Sequence, residues 1–211
     1  MSDMNDNQHL SDLVLARLED SPRQRRSRDR LRRALEAAGR LLREGGLELC
    51  SIPEVAKASD VPRAAIYRYF PDRAALLSAM AGTSMERLGA VIREALEADD
   101  APPGRLVERA IAESARFCDE DPVTGILLFN GPFGVDDRQS HHRKSRLIVE
   151  TLLPRLPPGT SAETVALTVE IAFACLRYGY FRDGHVSPGI AAQASRAALA
   201  FLGLSDPSPR A

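Results

Sequence analysis

Apolar positions recur three and four residues apart along most of the chain, in blocks separated by Pro, Gly and Asp, and this is the period of amphipathic helices. Leu10, Leu13, Val14 and Leu18 mark a short amphipathic helix near the start. Leu31, Ala34, Leu35, Ala38, Leu41 and Leu42 then form one face of a longer helix, which Gly45 and Gly46 are placed to end. Ile52, Val55 and Ala56 open a new block, residues 59–61 interrupt it, and Ile66, Tyr69 and Phe70 resume the period. Two short helices joined by a tight turn have the outline of a helix-turn-helix. Ser51 and Glu54 stand at capping-box spacing, so the first of the two has a defined start. Pro62 suits the first turn of the second, Pro71 stops it, and Asp72 caps the next helix.

The same period continues to the C-terminus. Met85, Leu88, Val91, Ile92 and Leu96 line a helix over 80–98, with Gly82 and Gly89 as weak points, and the DDAPPG run at 99–104 breaks it. Leu106, Val107, Ala110, Ile111 and Phe117 follow, stopped before Pro122. Next come a short apolar piece, GILLFN, a GPFGVDD loop, and a helix over 147–153 ended by Pro154. Over 162–181 apolar residues take up almost the whole circumference. Val165, Val169, Ala172, Phe173, Leu176 and Tyr180 lie on one side, and Leu167, Ile171, Ala174 and Tyr178 on another. A helix apolar on two sides needs two surfaces to pack against, its own core and a second copy of the chain. The last helix, over 188–204, adds Ala191, Ala194, Ala198 and Phe201. The expected dimer interface is therefore Val169, Phe173, Leu176, Tyr180, Ala191, Ala194, Ala198 and Phe201. No stretch requires a strand, and the expected fold class is all-α.

Charge changes this picture by its placement. The whole chain is nearly balanced, with 28 basic and 29 acidic residues, yet 21–80 holds thirteen basic against seven acidic, a net of +6 against −7 elsewhere. A basic N-terminal module on an acidic remainder is the footprint of a protein that meets nucleic acid at one end. The run SPRQRRSRDRLRR, which includes Arg28, is denser in arginine than helix formation requires. In the second short helix Arg63, Ala64, Tyr67 and Arg68 face away from Val61, Ile66 and Phe70. Arginine, a small residue and a phenol suit a helix in a DNA major groove. An ordinary helical hairpin with a basic solvated face has the same outline.

Cys50, Cys118 and Cys175 are isolated from one another, which argues against a disulfide framework or a zinc site. His141 and His142 with Asp136 and Asp137 read as a solvated loop rather than a metal site, since no third ligand has helical spacing to them. No signal-peptide pattern or apolar run near membrane-span length stands out, so the expected location is the cytoplasm, without a membrane partner. No nucleophile–base pair, phosphate-cradling loop or metal motif is present, and neither an enzyme nor a cofactor is expected.

Ile52, Ala56, Val61, Ile66, Tyr67, Phe70, Arg73, Leu76 and Leu77 together resemble the DNA-binding signature of the TetR family of bacterial transcriptional regulators. Ser51 stands for the family's usual Thr, Asp60 for Gly, Pro62 for Ser, Ala64 for Gly and Arg73 for a phosphate-contacting Lys. These departures bear on which DNA sequence is read. The amphipathic segment before residue 22 is not a usual feature of the family. The resemblance implies an N-terminal extension with a basic arm over 1–26, a three-helix DNA-binding domain over 27–74, and a helical effector-binding and dimerisation domain over 75–211. The implied DNA-binding set is Ser51, Arg63, Ala64, Tyr67, Arg68, Tyr69 and Arg73, with Arg28 in an arm that tracks phosphates or enters the minor groove. A pair of C-terminal helices would form a four-helix bundle with a two-fold mate. A homodimer would bind a pseudo-palindromic double-stranded DNA operator as a repressor, and an unidentified small-molecule effector would release it. Phe117, Leu127, Phe129, Phe133 and Phe173 are the expected pocket residues, with Arg177 for an anionic ligand. The alternative is an all-α ligand-binding or interaction protein that has lost operator binding.

Overall fold

The computed structural model describes residues 22–97, 100–131, 133 and 146–204, with side chains from Arg26 onward. The segment holding Leu10 to Leu18, the loop residues Asp136 and Asp137, and His141 and His142 lie outside the described residues. Among those described there are helices and no strand. The helices are α1 (Pro22–Leu49), α2 (Ile52–Ser59), α3 (Arg63–Tyr67), α4 (Arg73–Glu97), α5 (Pro103–Glu120), α6 (Pro122–Asn130), α7 (Arg146–Leu152), α8 (Ala162–Asp183) and α9 (Pro188–Leu202), and a 3-10 turn (Leu153–Arg155) follows α7. The chain divides into two compact units, Met1–Ser84 with Asp121–Arg138, and Met85–Glu120 with Gln139–Ala211.

In the first unit, α1 begins at Pro22, so the arginine-rich run is its opening turns. A helix about 10–12 Å across does not fit a minor groove about 6 Å wide, which excludes minor-groove entry for the helical part of that run. Helical backbone breaks at Gly45 and Gly46, where Gly46 has φ 63°, and a last turn carries the chain to Leu49. Ser51 caps α2 by accepting from the Glu54 N–H at 3.3 Å. The other half of the expected capping box is replaced, because the Ser51 N–H donates to the Leu49 carbonyl at 3.0 Å. Asp60 ends α2 in the left-handed conformation, φ 53°. The core is built from Leu31, Leu35 and Leu42 of α1, Ile52 and Val55 of α2, Ile66 of α3, Leu76 and Met80 of α4, and Val123 and Leu127 of α6, all at most 4 % exposed.

Two elements differ from expectation in this unit. Regular helix in the second short element covers only Arg63–Tyr67, and Arg68 to Phe70 continue as a turn in which both the Tyr69 and Phe70 N–H groups donate to the Ile66 carbonyl. Pro71 explains the early end, since the residue before a proline is pushed out of helical geometry. The preceding helix α5 stops ahead of Pro122, at Glu120, as expected, and Pro122 also starts α6. Asp121 caps it by accepting from the Val123 N–H at 3.1 Å and from the Thr124 hydroxyl at 2.8 Å, and a proline costs nothing at a first helical position.

The second unit is built around α8. Val165, Thr168, Val169, Ala172, Leu176 and Gly179 of α8 are buried, as are Ile190, Ala194, Ala198 and Leu199 of α9. The two helices approach closely at Gly179, where an added Cβ would stand 2.8 Å from Ile190 Cγ2. Arg155 donates to the Leu96 carbonyl at 2.9 Å near the end of α4, and Asp119 accepts from the Val186 N–H at 2.9 Å ahead of α9. Contrary to expectation, α8 has the length and hydropathy of a membrane span, with 33 % of its apolar window buried. Its apolar residues form two stripes, of which one is buried in this unit and the other exposed, and the helix also carries Glu163, Glu170, Arg177, Arg182 and Asp183.

Candidate nucleic-acid interface

The helix-turn-helix fixes its outer face by burying the inner one. Val61, Ile66 and Phe70 are 3 %, 1 % and 6 % exposed, which anchors α3 on one side. Arg63, Ala64 and Arg68 are exposed, and Tyr67 is 45 % exposed. The Ala64 methyl between Arg63 and Tyr67 keeps the profile low, so the guanidinium and the phenol are the first groups a docked duplex would meet. Such a face offers donors to base edges and phosphates.

The other expected DNA-contacting residues are also engaged within the protein. Ser51 lies at the start of α2 and spends its side-chain oxygen on capping. Arg73 donates through Nε to the Cys50 carbonyl at 2.8 Å and through a terminal nitrogen to the Leu47 carbonyl, so it closes off the end of α1. Burial pushes the adjacent Cys50 thiol up to about 11, and the charge of Arg73 offsets this only in part. Arg28 is half-buried on α1. One terminal nitrogen of Arg68 donates to Ser27 Oγ at 2.7 Å and to the Tyr69 hydroxyl at 2.9 Å, and its guanidinium carbon lies 5.0 Å from the centre of the Tyr69 ring. Ser27 and Tyr69 are hydrogen-bonded to each other. Burial pushes the Tyr69 phenol up, but hydrogen bonds from Ser27 and Arg68 and the charges of Arg68 and Arg30 outweigh it and hold the phenol below its ordinary range. Sequence reasoning missed Ser27, because its partners are more than forty positions away and no spacing rule links them.

The residues expected to line one pocket are dispersed. Phe173 lines a cavity of about 30 Å³ in the second unit, together with Ile92, Ile111, Ile148, Leu152 and the hydroxyl-bearing Ser114 and Thr168. Both hydroxyls donate within their own helices, Ser114 to the Ala110 carbonyl at 2.7 Å and Thr168 to the Thr164 carbonyl at 2.8 Å. Leu127 and Phe129 are sealed in the first unit, where Phe133 packs against the core. Phe117 is buried in the second unit beneath the Arg87 guanidinium, 5.5 Å from its ring centre. Arg177 is exposed beside buried Leu176, one position around α8, and it is outside the cavity lining.

Of the expected interface, Val169, Leu176, Ala194 and Ala198 are buried in their own unit and present nothing to a second copy. Phe173, Tyr180 and Ala191 are half-buried. Only Phe201, at 46 %, is an exposed large apolar group from that set. The uncovered side of α8 is the second of its two apolar stripes. It carries Leu167, Tyr178 and Phe181 at 48 %, 61 % and 59 %, with exposed Ala174 between them.

Comparison with known proteins agrees with this geometry. Residues 34–80 match the family model described as bacterial regulatory proteins, tetR family. A segment of 79 residues is 35 % identical to the HTH-type transcriptional repressor KstR of Mycolicibacterium smegmatis, covering 37 % of this chain and 39 % of that repressor. A TetR-family transcriptional regulator from Streptomyces coelicolor has a similar fold, with a TM-score of 0.64, 24 % identity, and 84 % of this chain and 97 % of that one covered. The fatty acid degradation regulator FadR of Bacillus halodurans is also similar in fold, with a TM-score of 0.60 and 14 % identity over 81 % of this chain and 97 % of that one. Residues 34–80, which hold these motif residues, therefore form a helix-turn-helix domain of the kind that defines the tetR family of bacterial regulatory proteins.

Proposed function

We propose that this protein is a transcriptional repressor that binds a pseudo-palindromic DNA operator as a homodimer and leaves it when a small apolar effector enters the second unit. The observation that carries the reading is the exposed face of Arg63, Ala64 and Tyr67 on a helix whose opposite side is locked into the core. One such helix reads only a few base pairs, and two related by a two-fold axis read both halves of an operator. The name of the mycobacterial relative supports repression over activation. The alternative, a helical carrier without operator binding, leaves the basic face and the family's motif residues without a role.

The cavity that holds Phe173 supports an uncharged, apolar effector, because no ionisable side chain lines it. At about 30 Å³ it has room for about one water molecule. Anything larger enters by spreading the surrounding helices, so the effector binds the spread state more tightly. Operator affinity then falls by that difference in affinity and by no more.

The test is a binding titration with duplex DNA from upstream of the protein's own gene, repeated over a range of salt. Binding should weaken steeply as salt rises, by about 0.9 log units per log unit of salt for each phosphate contacted. Tyr67→Ala should weaken it without unfolding the protein. Absence of binding at low salt would leave the carrier as the correct reading.

A further inference from the structure

We propose that Ser27, Arg68 and Tyr69 form a clasp that fixes the arginine-rich start of α1 against the end of the recognition helix, with Arg68 acting as a positioning residue and not as a reader of bases. The inference rests on the DNA-binding function proposed above. It adds to that function a division of labour among the arginines.

Arg68 sits on the exposed side of the helix-turn-helix, where sequence pattern alone makes it equivalent to Arg63. Its hydrogen bonds make the two different. Both protons of one terminal nitrogen are taken, one by Ser27 Oγ at 2.7 Å and one by the Tyr69 hydroxyl at 2.9 Å. The guanidinium also lies over the Tyr69 ring at 5.0 Å. An arginine that reads guanine presents a pair of N–H groups to O6 and N7, and swinging Arg68 out to do so would break both hydrogen bonds and the ring contact. Arg63 lies at the other end of α3 and takes no part in these contacts. Base reading therefore falls to Arg63 and Tyr67.

The other end of the clasp is on α1. Arg26 and Arg30 flank Ser27 at one position before and three after, both are exposed, and Arg30 folds back to donate to the Arg26 carbonyl at 3.3 Å. Tying Ser27 to the recognition helix sets these cations at a fixed offset from Arg63 and Tyr67. Phosphate contacts from α1 and base contacts from α3 then form in one register, without the entropy loss of ordering a loose helix end on the DNA.

The experiment compares wild type with Ser27→Ala, Ser27→Thr and Arg68→Ala on two duplexes, the fragment upstream of the gene and a random sequence of equal length. Salt dependence is measured on both, and the Tyr69 phenol is titrated by NMR without DNA. Ser27→Ala should weaken binding to both duplexes by roughly fivefold, the loss expected for one hydrogen bond. It should also lower the salt slope by about one phosphate contact. The Tyr69 phenol should then titrate higher, and Ser27→Thr should restore all three properties. Arg68→Ala should weaken both duplexes alike and leave their affinity ratio unchanged. A reduced ratio in Arg68→Ala would make Arg68 a base reader and overturn the proposal. So would a Ser27→Ala protein with wild-type salt slope and Tyr69 titration. If wild type binds neither duplex, the DNA-binding function itself falls, and the NMR titration still shows whether the three side chains are joined.

Discussion

At Cys50 a buried thiol lies next to an arginine occupied elsewhere. The Arg73 guanidinium satisfies the carbonyls of Cys50 and Leu47 at the end of α1, and its charge only partly relieves the cost of ionising the thiol, whose pKa rises from an ordinary 9.0 to about 11. The folded pKa is the higher one. Below pH 9.0 the thiol is therefore protonated in both states and its full stabilisation is present. Between 9.0 and about 11 the unfolded thiol ionises first and that stabilisation is lost, by an amount on the order of 2–3 kcal/mol. Urea unfolding of wild type and Cys50→Ala across this range should show the wild type losing stability more steeply. Parallel curves would mean that the thiol is open to solvent. The same geometry limits what Arg73 can reveal about DNA binding. Removing it strips partners from two carbonyls, so a loss of affinity in Arg73→Ala would mix folding with recognition, whereas exposed Tyr67 does not have this problem.

At the scale of elements, the sequence was legible where one local rule governed and illegible where two rules met. Periodicity gave α1 and α2 their buried faces, because burial on a helix follows a period of 3.6 residues whatever the partner. Pro122 was read correctly as the limit of α5, but its second role, as the first residue of α6, was missed because it depends on the Asp121 cap. The arginine run was read as an arm because composition does not record that Ser27 ties it to Tyr69. In α8 both apolar stripes were visible. Which one faced inward was not, since that choice depends on how α9 packs. Gly179 shows how tight this packing is. A methyl group there would stand 2.8 Å from one γ carbon of Ile190 and 3.1 Å from the other, so Gly179→Ala should destabilise the protein by about 1–3 kcal/mol through overpacking. In an Ile190→Ala background both γ carbons are gone, and adding Gly179→Ala should cost much less. A thermal or urea double-mutant cycle measures the difference, and simple additivity would show that the two helices are not pressed together at this point.

For the whole molecule, the exposed stripe on α8 is the feature that a single chain leaves unresolved. Leu167, Ile171, Ala174, Tyr178 and Phe181 follow one another at intervals of four and three, the spacing of a seam between packed helices. Three of the five are large apolar groups at least 48 % exposed, and α9 adds Phe201 at 46 %. A second copy presenting the same stripe satisfies both at once, because a two-fold interface is self-complementary. This predicts a particle of twice the 23.0 kDa chain in light scattering. Leu167→Glu with Phe181→Glu should convert it to a monomer with an unchanged helical content, since neither side chain contributes to the core of its own unit. Operator affinity should fall by orders of magnitude, because each recognition helix would then bind without the effective concentration supplied by its mate, while weak binding to random DNA should persist. A wild-type monomer, or a double variant that remains dimeric, would assign the stripe to some other purpose. A monomeric variant that still bound its operator tightly would show that recognition does not require two copies.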